Sequence, residues 1–192
     1  RLDAAAFASC TSPAAYSGLA DGSHTFQVKA RDAAGNDSTP ASFTWTVDTS
    51  PPPAPSIVTN PADPTNATVA TFDFTGEAGA EFECSLDGAP FSAECESPVG
   101  YLDLTEGQHT FSVKAEDAAG NEGPAATYAW NIDLTPPPAP SIDSFPPNPT
   151  SSSSATFTFS TEPGATFTCR LDGAAFAACT SPKLYSALAD GS

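Results

Sequence analysis

LADGSHTFQVKARDAAGN at residues 19–36 returns as LTEGQHTFSVKAEDAAGN at 104–121, with 13 of 18 positions identical at an offset of 85. The same offset relates SPPPAPSI at 50–57 to TPPPAPSI at 135–142, and CSLDGAPFSAEC at 84–95 returns as CRLDGAAFAAC at 169–179, one residue shorter. Self-similarity at a fixed period is the mark of a repeat architecture, and a period of about 85 residues is long enough for each repeat to be a small domain of its own. The chain therefore divides into the back part of one module at 1–50, a complete module at 51–135, and the front part of a third at 136–192. Both ends fall inside a module, which suggests a window onto a longer array. Residues 1–23 and 170–192 share one repeat phase, so the two partial modules overlap and do not add up to one whole.

Within the complete module the apolar residues alternate, the period of half-buried strands and not of helices. Ala70, Phe72 and Phe74 share one face of a strand, and Ala155, Phe157 and Phe159 repeat them. Ala80, Phe82, Cys84 and Leu86 form the next inward row. It ends at Asp87-Gly88, a pair suited to a two-residue hairpin turn because both central positions accept positive φ. Phe111, Val113 and Ala115 alternate with Ser112, Lys114 and Glu116, and Tyr128, Trp130 and Ile132 alternate with Ala129, Asn131 and Asp133. With a short strand near Ile57 and another around Tyr101–Leu104, this predicts about seven strands per module, the pattern of an all-β, two-sheet sandwich. By the same phase Phe43, Trp45, Tyr128 and Trp130 are expected in the core and not on a sugar-binding platform.

These features resemble the tandem immunoglobulin-like or fibronectin type III-like repeats of large bacterial secreted and surface proteins. The carriers are SPAAYSGLADGSHTFQVKARDAAGN at 12–36, ASFTWTVD at 41–48 and the VDTSPP junction at 47–52. The resemblance implies display or attachment outside the cell, as stalk, spacer, adhesin repeat or accessory module beside a catalytic domain. It also implies a candidate calcium set, because some large adhesins with similar loops bind the ion between modules. The matching positions are Asp32, Asn36 and Asp48, and Asp117, Asn121 and Asp133. Calcium takes six to eight oxygens, and three side chains per junction fall short of that, so turn formation by the two DAAGN segments is the stronger reading.

The five cysteines occupy repeated phases: Cys84 with Cys95, Cys169 with Cys179, and Cys10 alone, its partner expected immediately before Arg1. Repeated local pairing implies disulfides and an oxidising, extracellular compartment. The alternatives are reduced thiols or a metal site, and zinc would want further Cys or His at close spacing.

Of the formal charge of −17, residues 51–135 carry fourteen acids against one base. Such a surface repels phosphates, which makes nucleic acid and anionic lipid poor partners and leaves cations or basic proteins. No run of 18 apolar residues offers a membrane span. His24 and His109 share one phase, and with no nucleophile motif beside either they read as structural. Asn36-Asp37-Ser38 and Asn66-Ala67-Thr68 fit a glycosylation pattern that does not recur between modules, and are taken as chance. The Pro-rich linkers favour polyproline II and predict stiff spacing of modules. Together the residues point to an extracellular structural repeat, without enzymatic activity or cofactor, whose partners are neighbouring modules and other copies in a fibre. The alternative is a carbohydrate- or protein-binding module attached to a secreted enzyme.

Overall fold

The computed structural model describes residues 1–93 and 95–189. Every regular element among them is a strand, and none of the described residues forms a helix able to cross a membrane. The chain separates into two compact units, Arg1–Asp133 and Leu134–Ser192.

The first unit opens with an antiparallel pair, β1 (Gly22–Val28) and β2 (Ala41–Val47), in a register that sets His24 opposite Trp45 and Phe26 opposite Phe43. Residues 51–133, called the middle module, follow with β3 (Ser56–Thr59), β4 (Ala70–Thr75), β5 (Glu81–Leu86), β6 (Val99–Tyr101), β7 (Gly107–Glu116) and β8 (Ala126–Ile132). They form two antiparallel sheets, ordered β3-β4-β6 and β5-β7-β8. The repeat is visible in the register, since β7 and β8 set His109 opposite Trp130 and Phe111 opposite Tyr128.

Alternation places the apolar side of each sheet inward, and the two sides meet in one core. Phe72, Phe111, Val113 and Ile132 are fully buried and Trp130 is nearly so. Phe72 lies at the centre: its ring stacks on Phe111 at 4.1 Å and meets Trp130 edge-on at 5.3 Å, Tyr128 at 6.2 Å and Tyr101 at 6.3 Å. Offset and edge-on contacts of this kind are the favourable aromatic geometries.

Among the described residues the module has six strands where the alternation predicts about seven, and the described residues between β5 and β6 are engaged in other ways. Asp87 (φ 53°) and Gly88 (φ 75°) form the expected hairpin turn, closed by the Ala89 amide donating to the Leu86 carbonyl at 3.0 Å. Ser92 then pairs with Cys84 in a single bridge, and Cys95 is joined to Cys84 by a disulfide. The strand expected around Tyr101–Leu104 is β6 at Val99–Tyr101, where Ser97 Oγ accepts the Phe74 amide at 2.9 Å and fixes the strand's approach to β4.

Phe43 does not lie in a core: 67% of it is exposed, and Trp45 is half-buried. The equivalent positions in the middle module, Tyr128 and Trp130, face β4, whereas the β1–β2 pair has no opposing sheet within residues 1–50. Alternation identified the inward face correctly; burial of that face needs a second sheet.

The second unit repeats the front of the module. It contains β9 (Ser141–Ser144), β10 (Ala155–Ser160), β11 (Phe167–Cys169), β12 (Ala177–Cys179) and β13 (Lys183–Tyr185), in sheets ordered β13-β10-β9 and β11-β12. A disulfide links Cys169 to Cys179, with the Cα atoms 5.8 Å apart, and Ser181 Oγ accepts the Phe159 amide at 2.9 Å, as Ser97 does for Phe74. Cys10 is an exposed free thiol.

Candidate functional site

The two DAAGN segments fold into the same tight turn. Asp117 Oδ1 accepts the amides of Ala119 (2.8 Å) and Asn121 (2.9 Å), and its Oδ2 accepts the Asn121 side-chain amide at 2.8 Å. Asp32 does likewise with Ala34 (2.9 Å), the Asn36 backbone (2.8 Å) and the Asn36 side chain (2.9 Å). Gly35 (φ 92°) and Gly120 (φ 87°) supply the left-handed residue such a turn requires. Donation from the Asn side chain, reinforced by the backbone amides, holds both Asp carboxyls below the usual carboxylate range.

The same turn forms the joint between residues 1–50 and the middle module. Asn121 Nδ2 also donates to the Asp48 carbonyl at 3.1 Å, across 73 residues of sequence. Asp48 lines an open cleft of about 420 Å³ together with Glu77 and Asp117. The structure therefore brings Asp48 to the turn of the following module, beside Asp117 and Asn121, while Asp32 and Asn36 bond each other. Asp133 closes β8 through its backbone, its amide donating to the Thr65 carbonyl at 2.9 Å. Beside this joint Pro52 is fully buried, and its carbonyl oxygen lies 2.3 Å from where a Cβ on Gly123 would sit. The start of the linker, expected from its composition as a stiff polyproline II spacer, is thus packed against the following residues at Pro52.

Glu83, Glu116 and Glu122 are the acidic group whose oxygens approach closely enough for one ion, among the described residues. A protein cation is already there: Lys114 Nζ lies 3.0 Å from Glu83 and 2.8 Å from Glu122. The pairing with Glu122, then with Glu83, raises the lysine pKa. Sequence reading missed this cluster because Glu83 and Lys114 become neighbours only through the β5–β7 register.

The histidines have a more specific setting than their isolation in sequence implies. His109 is 6% exposed; its Nδ1 lies 2.8 Å from Asp87 Oδ2, and its Nε2 lies 2.8 Å from the Thr105 carbonyl oxygen. Asp87 Oδ1 accepts the Thr110 amide at 2.8 Å, so one carboxylate ties the hairpin turn to β7 twice. His24 repeats the arrangement with Asp3 at 2.9 Å and the Ala20 carbonyl at 2.8 Å, and Thr25 donates to Asp3 at 2.7 Å. The carbonyl acceptor, then the carboxylate, raises both histidine pKa values, with burial opposing.

These features define an all-β protein in which residues 51–133 form a two-sheet sandwich. Residues 8–49 match a family model described as bacterial Ig-like domain. No curated protein matches the chain. Among solved structures, the fibronectin domains FN1–FN3 of chicken CNTN1 align over 86% of this chain and 66% of theirs, at 14% identity and a TM-score of 0.35. Dimeric latent PorU from Porphyromonas gingivalis aligns over 76% of this chain and 17% of its own, at 16% identity and a TM-score of 0.32. The chain thus spans about two thirds of the first and a sixth of the second, and likenesses this loose carry no functional weight.

Proposed function

We propose that the chain is an extracellular structural repeat, a stretch of an extended stalk or surface fibre that serves adhesion or display and performs no chemistry of its own. The observation that carries this reading is the docked joint. The Asn121 side chain closes its own turn and holds the Asp48 carbonyl of the preceding module, while Pro52 fills the space beside Gly123. A linker packed in this way transmits orientation from one module to the next, as a stalk requires and a tethered binding domain does not. The disulfides suit an oxidising, extracellular setting. The three-module division at residues 1–50, 51–135 and 136–192 belongs to the same proposal.

The carbohydrate-binding alternative would draw on Phe43 and Trp45, whose rings stack at 6.2 Å on an open face. In the middle module the equivalent rings are interior, so the pair is better understood as core surface. Calcium remains secondary in this reading, because Asp117 already spends both carboxylate oxygens on its own turn.

Gly123→Ala tests the joint. A methyl group there meets the Pro52 carbonyl and must push the linker away, at a cost of about 1–3 kcal/mol typical of overpacking. In ¹⁵N relaxation, the β1–β2 pair and the middle module are expected to share one rotational correlation time in the wild type and to separate in the variant. Independent tumbling in the wild type would refute the docked joint.

A further inference from the structure

Both histidines of the chain make the same three contacts, and both tryptophans are among their partners. The His109 ring lies 5.5 Å from Trp130 and the His24 ring 5.8 Å from Trp45. On each histidine one ring nitrogen faces a carboxylate oxygen and the other a backbone carbonyl oxygen. Both partners are acceptors only. A neutral imidazole has a single N–H, so it can satisfy one of them and must aim a lone pair at the other. The imidazolium donates to both, and its charge also lies near an electron-rich indole.

We propose that this histidine is a protonation-controlled latch, repeated from module to module, which fastens the hairpin turn and the loop before the long strand to the sandwich and releases that loop when it loses its proton. In the middle module, Asp87 faces the latch from the hairpin turn, the Thr105 carbonyl from the loop between β6 and β7, and the uncharged Trp130 ring from β8. Asp87 is the charged group acting on His109 among the described residues. On deprotonation the remaining proton stays on Nδ1, opposite the Asp87 carboxylate. The Nε2 lone pair then faces the Thr105 oxygen, which repels it. The hairpin turn lies inside the Cys84–Cys95 disulfide loop, whereas the loop at 102–106 is not closed by a disulfide; it contains Asp103 in the left-handed region (φ 55°), and its Leu104 amide donates to the Thr68 carbonyl at 2.9 Å. Loop release is therefore the expected response.

The direction of the effect follows from the folded state favouring the charged histidine. The stabilisation is fully present below the unfolded histidine pKa of about 6.5 and is lost as pH rises through the higher folded value. The module is therefore firmest below about pH 6.5 and loosens as pH rises through the folded histidine value. The latch needs no ligand and is independent of whether the array is a stalk.

The 192-residue chain supplies its own reporter, because a protonated imidazole beside an indole quenches its fluorescence. Histidine Cε1–H resonances and tryptophan fluorescence would be followed together from pH 5 to 10, with amide exchange at Asp103–Glu106 corrected for its intrinsic pH dependence. Both histidines are expected to titrate above the ordinary value, with fluorescence rising over the same interval. Loop exchange is expected to become about tenfold faster, the factor for one lost hydrogen bond of ordinary net strength. Asp87→Asn keeps the shape of the turn and removes its charge; it should move the His109 midpoint down and leave that of His24 in place. His109→Gln should remove the Trp130 part of the fluorescence change. A His109 midpoint at or below about 6.5 would overturn the proposal, as would loop exchange that does not change across the titration.

Discussion

Phe72→Ala is expected to leave the middle module largely unfolded at 37 °C. Truncating a fully buried phenylalanine costs about 3–5 kcal/mol, because the lost transfer energy is joined by the cost of the cavity. Phe72 contacts aromatic rings from both sheets, Phe111 on β7 and Tyr128 and Trp130 on β8 as well as Tyr101 on β6, so neither sheet can close the gap without moving off the other. Small domains have only about 5–15 kcal/mol in total, and a module of this size belongs in the lower half of that range. The corresponding fall in melting temperature is roughly 12–40 °C, at about 4–8 °C per kcal/mol. Phe91→Ala removes the same group from a site that is 39% exposed and packed over the Lys114 ammonium at 5.0 Å, and is expected to cost about 1 kcal/mol or less. Urea unfolding followed by tryptophan fluorescence separates the two. Equal shifts would mean that Phe72 is not the centre of the core.

Cys95→Ser is expected to be almost as damaging. The Cys84–Cys95 bridge closes a loop with a sequence separation of 11. On the chain-entropy model that stabilises the fold by about 3 kcal/mol. The position is 4% exposed, so the serine hydroxyl adds a desolvation cost unless it finds a partner. The loop also positions Asp87, and with it the His109 contact, so local damage should extend to the start of β7. Dithiothreitol added to the wild type should reproduce most of the loss. Cys10→Ser, which replaces an exposed free thiol, should leave the midpoint unchanged. An unchanged midpoint in Cys95→Ser would show that the bridge does not support the fold.

The sandwich was legible because its determinants are periodic. The alternation through Phe111, Val113 and Ala115 appears unchanged as the inward face of β7, and Asp87-Gly88 adopts the φ angles a tight hairpin demands. Periodicity failed where a loop folds over a strand. Ser85 belongs to the outward phase but is 5% exposed, because its hydroxyl donates to the Ala89 carbonyl of the hairpin at 2.6 Å. It failed again at Phe43, where the face was right and the cover was absent. The DAAGN turns were legible as turns, since Asp and Asn bond their own backbone over short distances.

The joint and the latch were not legible, for a different reason. Asn121 reaches Asp48 and Gly123 reaches Pro52 across some seventy residues, and no local pattern announces such an approach. His109 meets Asp87 only because the hairpin turn folds back onto the start of β7, although the recurrence of HTF after Gly-Ser and Gly-Gln was a signal that the position matters. Part of the acidic surface of the middle module has a structural role: Glu83 and Glu122 share Lys114, Asp87 holds His109 and the Thr110 amide, and Asp117 closes its own turn.

The most direct test of the central claim is small-angle scattering from chains of two, four and eight modules joined by their own linkers, each measured with calcium and with a chelator. A structural array with docked joints gives a maximum dimension that grows in proportion to module number and is the same with and without the ion. Compact profiles whose dimension levels off would contradict the stalk, and extension that requires calcium would transfer the stiffening role from the packed linker to Asp48 and Asp133 as ligands.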